Sequence, residues 1–414
     1  MTLEEIGLTL EEIRGLPWVK ARVAKVIPNR FGVEFRIGPF VGRLGIRQGA
    51  SIDVEEMVPG TVAACLSLST STPRRAVQSA LGRNTLPAHE AVALQFAEVC
   101  TDVLSRGPVK AYAHSTVITP RPRGKIDVAA TLVKLQARGR FDLLQCGVRS
   151  LSDDTPVNRV LLAAALAAER ILAERPDDRL VVRRCIAALS GATIQPHPVM
   201  PYAWELPDGV VTDAMLLAET LLAGVPVSPN QEGSRSAFSA WVNVDRVFEE
   251  AVRNIFVRAA SNARVVQGKD CGVNLFHAAL NDPPALPKRA EPDIVVFRRE
   301  GQVLVVDVKY RLSGEKPTEE QLYQLAAHAA AFRADAAALF VPVLGKGSEQ
   351  MQRYGRLADG CSVDVVPVRA NDARRIEATV AAWLESIPAR RTRHSDPLAD
   401  QQPVWESGFV GAAT

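Results

Sequence analysis

The chain of 414 residues is too long for one small module and leaves room for two or three domains. Its composition, 47% hydrophobic, 23% charged and 6% aromatic, excludes a largely disordered chain, a collagen and a disulfide miniprotein. The formal net charge is only +3, so a nucleic-acid partner has to be argued from local charge patterns.

The cysteines and the apolar runs bear on the cellular location. The six cysteines are scattered and form no CxxC pair, which suits a reducing compartment and argues against a zinc ribbon. The N-terminus starts acidic, unlike a secretory signal, and the apolar stretch at 160–168 is too short to span a bilayer. We therefore expect a soluble, cytoplasmic protein with no membrane partner.

The first predicted unit, residues 1–87, is a β-rich N-terminal region. Apolar and polar residues alternate along residues 18–27, 32–46 and 49–56, and glycines and prolines separate these runs. A two-residue period with turn-forming breaks is typical of short strands. The pattern predicts a small barrel or a twisted sheet.

The second predicted unit, residues 88–235, combines helices with a basic loop. Residues 88–105 repeat apolar side chains with a helical period. Thr155 followed by Pro156 is typical of the start of a helix, with the threonine as N-cap and the proline in the first turn. We expect this second helix to be apolar and buried on most sides.

Between these two helices lies a strongly basic segment. Residues 106–140 contain eight lysines and arginines but a single acid, Asp127. Neighbouring prolines and a glycine predict that Arg121, Arg123 and Lys125 lie in a loop. Such a loop can contact DNA phosphates or a protein partner, and a merely solvated surface loop explains it about as well.

The third predicted unit, residues 236–387, contains an apolar β-hairpin. Its strands are residues 293–298 and 303–310. Gly301 between them suits a three-residue loop at 299–301, because glycine tolerates a positive φ.

The register of this hairpin brings charged side chains together. Asp293 lies opposite Asp307 because both are seven residues from position 300, and Lys309 shares a strand face with Asp307. The preceding amphipathic helix places Glu249 at the border of its core face, within reach of an interior site. A two-residue loop would shift the pairing by one residue and separate the acids, so the cluster depends on the register.

Two adjacent carboxylates in an apolar setting repel each other and favour a bound cation. Oxygen ligands select a hard ion, Mg²⁺ or Mn²⁺, rather than zinc. Such an ion can polarise a phosphodiester, and Lys309 can hold or deprotonate the attacking water and offset charge on phosphorus. An Asp-x-Lys tripeptide is also frequent by chance, but the apolar character of both strands favours a chemical role here.

The order of these features resembles the PD-(D/E)xK nuclease superfamily. The fuller pattern is similar to the McrC family, the nuclease subunits of McrBC-type modification-dependent restriction systems, over most of residues 88–345. The matching segments are VFEEAV (247–252), EPDIVV (291–296), VVDVKYR (305–311), YQLAAHA (323–329), RPRGKIDVAATL (121–132) and DTPVNRVLLAAALAAE (154–169).

The resemblance implies a role for five residues. The metal-binding acids of the family correspond to Asp293 and Asp307, and its helical glutamate, a further metal ligand, corresponds to Glu249. The catalytic lysine corresponds to Lys309, and the auxiliary glutamine to Gln324. His328 stands where many relatives have tyrosine, so the chain departs from the auxiliary motif at this position.

The resemblance also completes the expected architecture, a multidomain α+β or α/β chain. A β-rich N-terminal region and a helical middle precede a C-terminal restriction-endonuclease-like core, in which helices flank a mixed sheet. Residues 336–344 and 362–368 supply two further apolar strands, and residues 370–386 a closing amphipathic helix. Residues 388–414 are expected to form a flexible tail.

The function implied by the resemblance is that of a type IV-like restriction endonuclease subunit. It would use Mg²⁺ to cleave modified double-stranded DNA together with a GTP-hydrolysing McrB-like AAA+ ring, in 5-methylcytosine-type restriction and phage defence. Residues 88–235 are expected to dock this partner, and a chain without a GxxxxGK[ST] loop is expected to bind no nucleotide. Two alternatives stay open: a non-catalytic adaptor that activates an AAA+ ring, and a stand-alone DNA repair nuclease of the same superfamily.

Overall fold

The computed structural model of the protein describes most of the chain. The described residues are 8–29, 32–47, 50–69, 86–195, 198–201, 209–224, 239–260, 263–276, 288–310, 317–343 and 347–388. The predicted boundary between residues 235 and 236 and residues 389–414 of the predicted tail lie outside them, and the domain limits stay a prediction. None of the described helices is both long and apolar enough to cross a membrane.

The N-terminal region forms two small sheets rather than a barrel. Its elements are α1 (Leu10–Gly15), α2 (Pro17–Lys20), β1 (Ala24–Asn29), β2 (Gly32–Ile37), β3 (Phe40–Arg47), β4 (Ala50–Val54) and α3 (Thr61–Ser69). β1 and β2 form an antiparallel hairpin, whereas β3 pairs with β4 and with β8 (Ala240–Asn243). The sequence did not predict α3, whose apolar residues are buried on nearly every side. A short run of this kind suits a helix as well as a strand.

The middle of the chain is mainly helical. Its elements are α4 (Ala88–Ser105), β5 (Ala111–Thr119), β6 (Lys125–Ile126), α5 (Val128–Ala130), β7 (Leu144–Ser152), α6 (Pro156–Ile171), α7 (Pro176–Ala188) and α8 (Gly209–Gly224). The predicted N-cap is present, since the Thr155 hydroxyl accepts a hydrogen bond from the Asn158 N–H at 3.2 Å. The four long helices share one apolar core.

A β-ribbon that the sequence did not predict emerges from these helices. In this ribbon, residues 111–152, β5 and β7 pair antiparallel along nine residues each, and β6 pairs with the other edge of β7. Most side chains of β5 are exposed. Because neither face is buried, the apolar alternation that marks a half-buried strand is missing from the sequence.

The C-terminal part contains a six-stranded mixed sheet with helices on both faces. Its elements after β8 are α9 (Val244–Ala259), β9 (Ala263–Val266), β10 (Ile294–Arg298), β11 (Val303–Val308), α10 (Glu319–Ala331), β12 (Ala336–Pro342), β13 (Gln352–Arg356), β14 (Ser362–Val368) and α11 (Ala373–Ser386). The order is β13-β14-β12-β11-β10-β9, with β11, β12 and β14 parallel and the other pairs antiparallel. This confirms the expected mixed sheet and its two further strands, while β9 and β13 were not predicted.

The two faces of the sheet pack against different helices. Val306 and its even-numbered neighbours join the large core that contains Phe248 of α9 and Trp383 of α11. Val305 and its odd-numbered neighbours face a second cluster that contains Leu325 of α10. Asp307 is odd-numbered, so the strand directs its side chain toward α10.

Candidate functional site

The candidate site lies at one end of the hairpin β10–β11. The hairpin pairs Ile294 with Val306 and Phe297 with Val303, the register that the three-residue loop predicts. Gly301 in that loop has a φ of +72°, a conformation that glycine adopts without strain. This register sets the residues that flank the paired stretch, Asp293 and Asp307, beside each other.

The two acids are bonded to each other's strands. The Asp293 N–H donates to Asp307 Oδ1 at 3.3 Å, and the Val308 N–H donates to Asp293 Oδ2 at 2.7 Å. Asp307 is only 1% exposed. Burial, and then the charge of Asp307, raise the pKa of Asp293 above its usual range.

Lys309 completes the group of three charged residues. Its Nζ lies 3.4 Å from Asp293 Oδ2, with both side chains mostly buried. Burial lowers the pKa of Lys309, but the carboxylates of Asp293 and Asp307 outweigh it, so the net shift is upward. The lysine is therefore an ammonium donor at neutral pH in this arrangement.

Glu249 of α9 interacts with the same group through its charge. Burial, and then the charge of Asp293, raise the pKa of Glu249 to about 7, while Lys309 opposes the shift. The charge of Asp245, one helical turn earlier, also raises the pKa of Lys309. The sequence did not single out this acid as part of the site. An i, i+4 pair of acids on the helix that precedes the hairpin was the available signal.

α10 brings a histidine against the acids. The predicted capping box is present, with the Gln321 side chain bound to the Thr318 N–H, but Gln324 is exposed. His328 is buried instead, and its Nδ1 lies 3.1 Å from Asp307 Oδ2. The sequence predicted a polar stripe of Gln321, Gln324 and His328 opposite the apolar side of this helix. The prediction is wrong for His328, which lies on the buried face beside Leu325.

The chemistry of these donors fits a small hard cation. Mg²⁺ is typically held by one or two protein carboxylates, with waters and substrate phosphates completing its shell. Asp293 and Asp307 supply two such groups, and their mutual repulsion is what a cation would relieve. Among the residues that the structure describes, no three His, Cys, Asp or Glu side chains form a group that could enclose a metal ion. Two carboxylate donors suit Mg²⁺ or Mn²⁺ better than a structural zinc, and a ligand role for Glu249 stays a prediction.

The predicted basic loop lies in the β-ribbon, away from the acids in sequence. Arg121 and Arg123 lie in the turn between β5 and β6, and Lys125 begins β6; all three are exposed. The same ribbon exposes Ile118 and Phe141, at 57% and 74%. Exposed apolar and basic side chains together are typical of a protein-binding surface.

Comparisons with known proteins identify the family. The family described as "McrBC 5-methylcytosine restriction system component" matches residues 50–342. No curated protein matches the chain significantly.

Two solved structures from Thermococcus gammatolerans match the chain to different extents. A chain in the half-complex from a tetradecameric assembly of McrB AAA+ hexamers with bound McrC is 17% identical, with a TM-score of 0.50 over 88% of this chain and 86% of that chain. A chain in the McrBC complex solved by cryo-EM is 16% identical, with a TM-score of 0.38 over 60% of this chain and 77% of that one. The family match spans more than half of the sequence, and the chain therefore belongs to the family of McrBC 5-methylcytosine restriction system components.

Proposed function

We propose that the chain is the McrC-like DNA endonuclease subunit of its restriction system. The observation that carries the proposal is the meeting of Asp293, Asp307 and Lys309 at the end of one buried hairpin. A pair of acids with a lysine two residues after the second is the pattern of the PD-(D/E)xK nucleases that the sequence resembles, and a metal ion held by such acids can assist phosphodiester hydrolysis. The mixed sheet with helices on both faces supports a PD-(D/E)xK core.

Each residue of the site has a chemical role in this proposal. Asp293 and Asp307 would hold a Mg²⁺ or Mn²⁺ ion, which polarises the scissile phosphodiester and lowers the pKa of a bound water. The ammonium of Lys309 would offset the negative charge that develops on phosphorus. Glu249, whose pKa lies near 7, would ionise fully beside a cation and complete the ligand set. Gln324 would contact substrate from its exposed position on α10.

The partner in this proposal is a McrB-like AAA+ ring that hydrolyses GTP, with modified double-stranded DNA as the substrate. The similar T. gammatolerans structure contains McrB AAA+ hexamers with bound McrC. We assign the docking of the ring to the β-ribbon, because Arg121, Arg123 and Lys125 lie there beside exposed apolar side chains. A cytoplasmic location and 5-methylcytosine-type phage defence are part of the same proposal.

The decisive experiment is cleavage of methylated DNA by the protein with Mg²⁺, GTP and its AAA+ partner. We expect Asp307→Ala to abolish cleavage, because the buried strand end then lacks one of its two carboxylates. The variant should keep the circular dichroism spectrum of the wild type and should still stimulate GTP hydrolysis by the partner. Asp270→Ala, at an exposed aspartate, is the matched control and should cut like the wild type.

The same assay separates the alternatives. Wild-type cleavage by the Asp307→Ala variant would refute the assignment of the site. If the protein stimulates GTP hydrolysis but never cuts DNA, and Lys309→Ala changes nothing, the chain is an adaptor. Cleavage that needs neither GTP nor the partner would identify a stand-alone nuclease.

A further inference from the structure

A buried contact to which no role has yet been assigned lies between His328 and Asp307. His328 Nδ1 is 3.1 Å from Asp307 Oδ2 and 3.3 Å from Oδ1. Both side chains are almost completely buried, at 7% and 2% exposure. The histidine is on α10 and the acid is the last residue but one of β11, so two separate elements meet at this point.

The chemistry of the pair limits how its hydrogen bond can form. A carboxylate in its ionised form can only accept hydrogen bonds, and the donor to it is then the Nδ1–H tautomer of His328. Because both oxygens are within reach, the single N–H restrains rotation of the whole carboxylate. On the other side, the Asp293 N–H donates to Oδ1 at 3.3 Å. Asp307 is thus held from two directions.

We propose that His328 is a positioning residue, whose Nδ1–H fixes the Asp307 carboxylate in the orientation that binds the divalent ion. The inference rests on the proposed function, since it concerns the metal site of that nuclease. Groups that orient metal ligands contribute typically about 10–100-fold to metal affinity. The metal ligand remains the aspartate, and the histidine acts through it.

The test is Mn²⁺ affinity of the full chain, measured from the electron paramagnetic resonance signal of the free ion. His328→Leu removes the donor, and we expect it to weaken Mn²⁺ binding by about 10–100-fold. His328→Asn keeps an N–H donor on the atom that corresponds to Nδ1, and it should bind within a few-fold of the wild type. His328→Gln places its amide one bond farther out and should bind weakly.

Controls separate positioning from general packing. His114→Leu, at an exposed histidine of the ribbon, should bind Mn²⁺ like the wild type. Thermal unfolding in EDTA shows whether each variant is folded, and the Asn and Gln pair carries the test if the Leu variant is not. In cleavage assays, the Mg²⁺ concentration that gives half the maximal rate should be higher for the Gln variant than for the wild type. For the Asn variant it should be close to the wild-type value.

Two results would overturn the inference and one would overturn its basis. Unchanged Mn²⁺ affinity in both His328→Leu and His328→Gln, with binding lost in Asp307→Asn, would show that the histidine does not position the acid. Equal weakening in the Asn and Gln variants would make the ring's volume, rather than its donor, the cause. If Asp307→Asn binds Mn²⁺ like the wild type, the proposed metal site itself is wrong, and the inference falls with it.

Discussion

The hydroxyl of Tyr310 accepts a hydrogen bond from the main-chain N–H of Val58 at 3.0 Å. It also donates to Thr61 Oγ1, 3.2 Å away, and the tyrosine is only 4% exposed. Tyr310 directly follows Lys309, whereas Thr61 begins α3 of the N-terminal region and Val58 lies three residues before it. The strand that carries the catalytic candidates is therefore bonded to a segment about 250 residues earlier.

Tyr310→Phe should destabilise the protein by about 1–3 kcal/mol, because a buried N–H at Val58 loses its acceptor. The ring itself stays packed edge-on against Phe248. The free energy of unfolding in urea measures this effect. Tyr323→Phe, at a tyrosine that is 71% exposed, is the matched control and should change stability by less than about 0.5 kcal/mol. Equal stability of the two variants would contradict the prediction.

The pKa of Glu249 predicts a pH dependence of stability in the metal-free protein. Its folded-state pKa of about 7 lies above the ordinary value of 4.5, so between these values the folded state holds more protons than the unfolded state. The free energy of unfolding therefore falls as pH rises through this window. Glu249→Gln should remove this loss.

Denaturant titrations of the Glu249→Gln variant in EDTA check this sign. Its stability relative to the wild type should grow from about pH 5 to about pH 8 and stay constant below pH 4.5. Glu385→Gln, at an exposed glutamate of α11, is the matched control. If the stability of the variant relative to the wild type instead falls with rising pH, the charged form of Glu249 stabilises the folded state, and the prediction is wrong.

An ion pair between the adjacent strands β13 and β14, with a buried acid and a half-exposed arginine, predicts a compensating double substitution. Asp364 is fully buried and accepts from Arg353 Nε at 2.9 Å and from Trp383 Nε1 at 3.2 Å. Arg353→Met should cost about 1–3 kcal/mol, because it removes a charged donor from a buried carboxylate. Adding Asp364→Asn should recover part of this loss in chemical denaturation. A double variant no more stable than the single one would show that the charge is compensated elsewhere.

Neutralising the basic loop tests its assignment to the partner. We expect a variant with Arg121, Arg123 and Lys125 all changed to Gln to bind the AAA+ ring more weakly and to stimulate less GTP hydrolysis. Its DNA binding should keep the wild-type salt dependence. If the slope of log K against log salt instead falls by about 0.9 for each removed charge, the loop contacts DNA phosphates. The control neutralises three exposed basic residues of the N-terminal region, Arg14, Lys20 and Lys25.

The site could be predicted from the sequence where short-range geometry decides it. The spacing of Asp293 and Asp307 about a three-residue loop, with Gly301 at positive φ, gives the observed register. The strands of this hairpin are apolar and uninterrupted, so their period and length identify them. The length of the loop and the apolar character of the strands thus both predict the observed hairpin.

The rest depends on contacts that sequence spacing does not contain. His328 lies on the buried face of α10 because Asp307 offers an acceptor there, and helical periodicity alone assigned it to a polar stripe. β13 is an edge strand whose residues are mostly exposed, so its sequence does not alternate between apolar and polar residues. β8 is four residues long and pairs with β3, nearly 200 positions earlier, which no local pattern indicates.

The pairing of β8 with β3 also limits how the protein can be divided for experiments. Gly42 of β3 approaches Ala240 so closely that a side chain there would collide with the main-chain oxygen, and Trp241 and Val242 are buried. β8 leads without a break into α9, which carries Glu249. A fragment that begins at residue 236 would take this strand away from its neighbour and expose its tryptophan to water. Expression of residues 236–387 alone should therefore give insoluble material unless residues 40–54 are supplied with it.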